Sequence, residues 1–191
     1  MRYHELLEAK VPTAGIVDRI ERDCQPFLQI IGDNISAFPM YRGMLEHDNI
    51  MRKKVRLDDR KPLSSAEIKH DRYNYYFEET FGQPFRNSLF VSGNDSMAKY
   101  YGRPFAIFPI GEFDWLWSPQ VNDMALDIRW PPVGGHVNVP PSQEAVIDKL
   151  QTLDYNMNSD LKGAIVTGNE IMIRCKEYYA LSQQVFRTLY A

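Results

Sequence analysis

The chain has 191 residues, 44% of them apolar, and a net charge of −3 from 22 basic and 25 acidic side chains. That length predicts one domain, residues 1–191, with a single sizeable core, and the composition excludes intrinsic disorder. The slight negative charge excludes a global basic field that recruits nucleic acid, so any such contact needs a local patch. The opening "RYHELLEAK" lacks the apolar centre of a signal peptide, and no apolar run approaches membrane-spanning length. Cys24 and Cys175 stand far apart without metal-ligand spacing, which predicts free thiols in a reducing cytoplasm. His4, His47, His70 and His136 are dispersed and predict no metal site.

In chain order, residues 3–22 are punctuated by Pro12 and Gly15 and predict two short helices. "AFPMYRGM" and "NIMRKKVRL" follow as strands, the second with a clear two-residue alternation. "SSAEIKHDRYNYYFEETFG" predicts a helix with a Ser64–Glu67 capping box and Gly82 as its stop. Its Tyr73, Phe77 and Phe81 share one helical face, a core stripe rather than a binding box. "NSLFVSG" is a short strand, and "NDSMAKYYG" a short helix capped by Asn94 or Asp95. "FAIFPIGEFDWLW" reads as a strand broken by a bend from Pro109 to Gly111. "RWPPVGGHVNVPP" is a loop, and Ser142 caps the helix "SQEAVIDKLQTLDY". The polar "NMNSDLKGAIVTG" is expected to be a loop before the strand "EIMIRC". Helices first, then strands mixed with helices, favour an α+β class over regular βαβ alternation.

No GxGxxG, P-loop, HExxH or GxSxG is present, so the standard nucleotide loops and those hydrolase motifs are excluded. The cluster Arg52, Lys53, Lys54, Arg56, Arg60, Lys61 is the strongest local charge feature. Asp58 and Asp59 interrupt it, so a solvated strand face explains it better than phosphate contact. The acid pairs Glu78–Glu79, Glu112–Asp114 and Asp123–Asp127 read as surface charge in the same way. Three further residues invite function. Arg42 sits inside a strand, where a guanidinium needs an anion, either a structural carboxylate or a ligand phosphate. Gly43 beside it lets another backbone or a ligand approach closely. Ser92 ends a strand before Gly93, either as a turn residue or pointing into a cleft. Glu170 heads an apolar strand, where a charge marks a wet end or faces a ligand.

An arginine in "YRG", a strand ending Ser-Gly before an "A..YG" helix, and a glutamate heading an apolar strand occur here in that order. This resembles the arginine–serine–glutamate branch of the ADP-ribosyltransferase superfamily. The runs "VRLDDRKP", "FRNSLFVSGNDSMAKYYG" and "IFPIGEFDWLWSP" are similar to small single-domain members found among tailed bacteriophages. The resemblance runs from about Phe38 to Leu181. It implies two packed, mainly antiparallel sheets forming a central NAD cleft flanked by helices, with residues 1–36 a helical lead-in and 37–191 the catalytic core. It also implies mono-ADP-ribosyl transfer from NAD, without a metal, to a protein or a nucleic acid, in a host cytoplasm if the chain is phage-encoded. An NAD glycohydrolase, or an inactive NAD- or nucleic-acid-binding protein of the same fold, is the alternative.

By that resemblance Glu170, Arg42 and Ser92 are the catalytic set, with Ser88 as an alternative to Ser92. Glu170 stabilises an oxocarbenium-like transition state at the nicotinamide ribose. Arg42 holds the pyrophosphate or adjacent ribose, and Ser92 orients the glutamate or the ribose. The backbone at Gly43 grips the nicotinamide amide, with Phe90 or Tyr101 stacking on its ring. Tyr155, Asn158, Lys162 and Gly168 fall in the segment that meets the acceptor. Arginine-modifying members carry a second acid two positions before the glutamate, where this chain has Gly168. That departure disfavours an arginine acceptor, because a nearby carboxylate helps to make a guanidinium a nucleophile.

Overall fold

The computed structural model describes residues 9–10, 15–58, 60, 67–128, 130 and 141–190. Ser64 of the expected capping box, Lys61 and nearly all of the loop from Arg129 to Pro141 lie outside them.

The chain is α+β, with one antiparallel sheet of eight strands extended at one edge by the two-residue strand β1 (Ala9–Lys10). Two short helices, α1 (Ile16–Asp23) and α2 (Gln25–Ile31), lead into it. α1 falls at the C-terminal end of the expected 3–22 span and α2 beyond it, with Pro26 in the first turn of α2, while residues 3–8 and 11–14 lie outside the described residues. The strands β2 (Tyr41–Met44) and β3 (Ile50–Lys54) come next, then α3 (Glu67–Phe81), closed by Gly82 at φ +75. After β4 (Leu89–Ser92), the helix α4 (Asp95–Lys99) is capped by the Asn94 side chain, which accepts from Ser96 N.

The bent apolar run becomes two strands, β5 (Arg103–Ile110) and β6 (Asp114–Trp117), which do not pair with each other. Pro109 is tolerated within β5 because β2 has ended by then and only β9 pairs there. A short helix α5 (Met124–Asp127) and the longer α6 (Gln143–Gln151) follow; Ser142 caps α6 by accepting from Ala145 N.

The expected loop before Glu170 instead contains β7 (Asn156–Met157) and a helix, α7 (Leu161–Thr167). Asp160 caps α7 by accepting from Gly163 N, and Leu161, Ala164 and Ile165 are buried at i, i+3 and i+4. A polar N-terminal flank hid that apolar stripe. The last elements are β8 (Glu170–Arg174), β9 (Glu177–Ser182) and α8 (Gln183–Tyr190). Among the described residues no helix is long and apolar enough to cross a membrane.

Strand order is β1-β3-β9-β5-β2-β4-β8-β6-β7. The expectation of two packed sheets is corrected to one sheet with a weak seam. β2 pairs β5 over four residues, and β4 pairs β8 over four, but β2 and β4 meet only at Tyr41 with Ser92. Two wings therefore diverge from a single bridge, and a bend of this kind opens space where strands part. Alternation along β8 sends Ile171 and Ile173 into one core with Cys175, α1, α2, α7 and α8. It sends Met172 into a second core with Leu116 and the aromatic face of α3 and α6. Tyr73, Phe77 and Phe81 all belong to that second core, as their spacing predicts. Cys24 and Cys175 are buried free thiols, and burial pushes each up to about 12, which leaves them protonated and unreactive.

Candidate active site

The seam between the wings opens into a cavity of about 180 Å³. Arg42, Gly43, Phe90, Ser92, Tyr101 and Glu170 all line it, although they come from β2, β4, the end of α4 and β8. Three adjacent strands achieve this through register alone. Ser92 is opposite Glu170 across β4–β8, and it is opposite Tyr41, the neighbour of Arg42, across the seam.

Arg42 donates from Nη1 to the Phe90 carbonyl oxygen at 3.0 Å. One arm of its fork thus ties β2 to β4 where the ladder has lapsed. Gly43 is required for packing: a Cβ there would sit 1.9 Å from the Ala98 carbonyl oxygen, so α4 lies directly on the β2 backbone.

Ser92 does not hold Glu170. Its hydroxyl donates to the Gly168 carbonyl at 2.5 Å and accepts from Asn94 N at 3.0 Å, linking the strand end to the turn before β8. Ser88 is fully buried, its Oγ has no partner, and it lies away from the cavity lining.

Among the described residues the cation paired with the Glu170 carboxylate is Arg86, with Nη1 3.6 Å from Oε1 and both side chains largely buried. Burial pushes Glu170 up to about 7; Asp123 adds to the rise, while Arg86, Arg60 and the Met124 backbone N–H oppose it. A carboxyl balanced near neutrality is the property expected of an acid–base or charge-stabilising group.

Arg60, Arg86, His70, Asn122 and Asp123 complete the wall, and none was singled out from the sequence as a site residue. Arg60 and Arg86 both stack on the Phe90 ring, at 4.0 and 4.6 Å, so that ring already carries two guanidiniums. Arg60 also donates to the Ser88 carbonyl oxygen. Burial, then the charges of Arg42 and Arg86, push its pKa down. Tyr101, half exposed, donates its hydroxyl to Asp123, whose other oxygen caps α5 through Ala125 N and Leu126 N.

The cavity wall thus carries three arginines against two carboxylates, a lining that favours an anionic guest. In sequence, Arg60 sat within a solvated basic run. Arg52 and Lys53 do not share such a face: they are partly buried on opposite sides of β3, ion-paired with Glu177 and Glu46 respectively. The signal that would have separated Arg60 is long-range and absent from its neighbours.

The expected acceptor residues are not gathered in this way. Tyr155 packs edge-on against Phe77 at 5.1 Å, and its buried hydroxyl has no partner. Asn158 is bound to Trp115 N and Asp114, and Lys162 lies over the Phe38 ring at 5.3 Å on α7. Gly168 is the left-handed cap of α7 at φ +75, and its carbonyl reaches Ser92. No family model, no curated protein and no solved structure matches the chain.

Proposed function

We propose that this protein is an NAD-dependent mono-ADP-ribosyltransferase that releases nicotinamide and passes ADP-ribose to a macromolecular acceptor. The observation that carries this is the convergence of Arg42, Ser92 and Glu170, from three adjacent strands, on one cavity at the seam of the sheet. The guanidiniums of Arg42, Arg60 and Arg86 supply the anion-binding wall that a pyrophosphate needs.

Departure of nicotinamide leaves positive charge on the ribose, and Glu170 as a carboxylate stabilises that charge at close range. Arg42 fixes the dinucleotide so that binding energy goes into orientation at the reacting bond. Ser92, tied to the Gly168 turn, keeps the start of β8 in register and so sets where Glu170 enters the cavity.

Gly168 supports an acceptor other than arginine. A side chain there would require positive φ and would bring its Cβ 3.1 Å from Asn94 Cβ, so the turn disfavours a second acid at that position. Protein side chains already nucleophilic at neutral pH, or nucleic acid, fit that chemistry better. Water in place of a macromolecule gives the glycohydrolase variant.

The test is incubation with labelled NAD and bacterial lysate. Label on protein or nucleic acid is the expected result, with E170Q losing at least about a hundredfold in turnover while remaining folded. Free ADP-ribose alone reassigns the protein as a glycohydrolase. Full activity in E170Q, or no NAD binding by calorimetry, overturns the proposal.

A further inference from the structure

We propose that Arg86 is the positioning residue for Glu170, orienting its carboxylate and holding it as an anion, a task that Ser92 does not perform. Four observations carry this. Arg86 Nη1 lies 3.6 Å from Glu170 Oε1 and is the cation in ion-pair range among the described residues, with the two side chains 9% and 15% exposed. Glu170 Oε1 and Arg86 Nε are both buried without a hydrogen-bond partner, so no other group competes for that side of the carboxylate. The single proton of Ser92 is committed to Gly168 O, and its oxygen already accepts from Asn94 N. Arg86 itself is held from several directions: its ring contacts are Phe90 at 4.6 Å and Tyr73 at 5.9 Å, and Nη1 reaches Met124 Sδ at 3.3 Å.

An ion pair inside a cavity wall is only weakly screened, so one guanidinium at this distance shifts the balance between the two forms of the carboxyl. The other charged or titratable groups around Glu170 are Asp123 just before α5, Arg60 after β3, Tyr101 after α4 and Tyr155 after α6, with Arg42 of β2 and His70 of α3 lining the same cavity. Asp123 opposes the anion, Arg60 supports it more weakly than Arg86 does, and the two tyrosines remain neutral. With Oε1 turned to Arg86 and buried, the exposed part of the carboxyl group is left to the cavity.

The role of this contact in catalysis rests on the ADP-ribosyltransferase proposal; the contact itself does not, and the experiment separates them. The side-chain carboxyls of glutamate are 13C-labelled and titrated by NMR in the ligand-free protein. The Glu170 midpoint is expected near 7 in the native chain. It rises by roughly one pH unit or more in R86M, rises less in R86K, which keeps a cation, and moves less in S92A than in R86M. Independently, in the chain with Arg86 intact, the Arg86 Nε–H resonance follows the same titration and becomes flat in E170Q, a readout that needs no arginine variant to fold. In parallel, the acid limb of NAD turnover shifts upward in R86K. A Glu170 midpoint unmoved in R86M, a shift in S92A as large as in R86M, or an Arg86 resonance indifferent to E170Q each overturns the proposal. The expected titrations in a protein without NAD turnover support the Arg86 contact while sinking the transferase assignment.

Discussion

Glu170 carries a cost that its position makes measurable. Its folded pKa of about 7 lies above the ordinary glutamate value of 4.5, because burial disfavours the charge by more than the nearby arginines offset. The folded state therefore binds a proton that the unfolded state has already released, and stability falls as pH rises from 4.5 through 7. Below that window both states are protonated and the effect vanishes. E170Q, which cannot ionise, is expected to be the more stable protein at pH 8, on the order of 3 kcal/mol at full ionisation. Denaturant melts of both proteins at pH 4.5 and pH 8 measure this. A stability difference that does not change between them contradicts it. A similar tension appears at Gly43, where a methyl group would meet the Ala98 carbonyl oxygen at 1.9 Å. G43A is expected to cost more than about 3 kcal/mol, since the opposing atom is backbone and α4 must lift off β2.

At the scale of elements, α7 links the site to the rest of the molecule. It packs beside β8, and its Ile165 carbonyl lies so close to Gly93 that a Cβ there would sit 1.8 Å away. Its cap is Asp160, itself in the left-handed region at φ 42, with the side chain accepting from Gly163 N at 2.9 Å. D160A removes that bond and places alanine where its Cβ is strained, at a combined cost of about 1–3 kcal/mol. D160N retains most of the stability, because asparagine both caps and tolerates positive φ. A fall in the denaturant midpoint for alanine but not asparagine, at unchanged slope, checks this. Equal losses would mean that the carboxylate charge, not the cap, matters.

The same element shows where sequence patterns run out. The strands β2, β4 and β8, and the faces of α3 and α6, were legible because alternation and helical spacing recur over several residues. Arg42, Ser92 and Glu170 were grouped in sequence by the order of their motifs, and all three line one cavity. The helix α7 was not legible, because three buried positions in seven residues follow a polar run and resemble loop composition. Arg60 and Arg86 were not either. Their role depends on the seam bringing Phe90, Glu170 and two distant segments together, a long-range fact without a local signature. β5 and β6 formed one apolar run in sequence, yet they serve different wings of the sheet.

That division into wings is the whole-molecule feature on which the site depends. β3, β9, β5 and β2 form one wing, and β4, β8, β6 and β7 the other. Between them stand one register pair, Tyr41 with Ser92, and the Arg42 side chain reaching the Phe90 carbonyl. The helix α4 packs on β2 and β5 of one wing and on β4 of the other, and the core that contains α1, α2, α7 and α8 spans both wings. A sheet paired continuously there would close the space; a sheet divided into two independent bodies would lose the alignment of Arg42 with Glu170. A ligand seated against both residues therefore adds contacts where the protein has fewest. Under the proposed function, NAD at a hundredfold above its Kd is expected to add about 2.7 kcal/mol to the unfolding free energy by linkage and to raise Tm by roughly 5–10 °C for a chain of this size. The distribution of that stabilisation is the sharper readout. Amide hydrogen exchange is expected to slow in β2 and β5 together with β4 and β8, and E170Q, which retains the arginine wall, keeps this protection. Protection limited to one wing would mean that the ligand does not bridge the seam, and that the cavity between Arg42 and Glu170 is not where NAD sits.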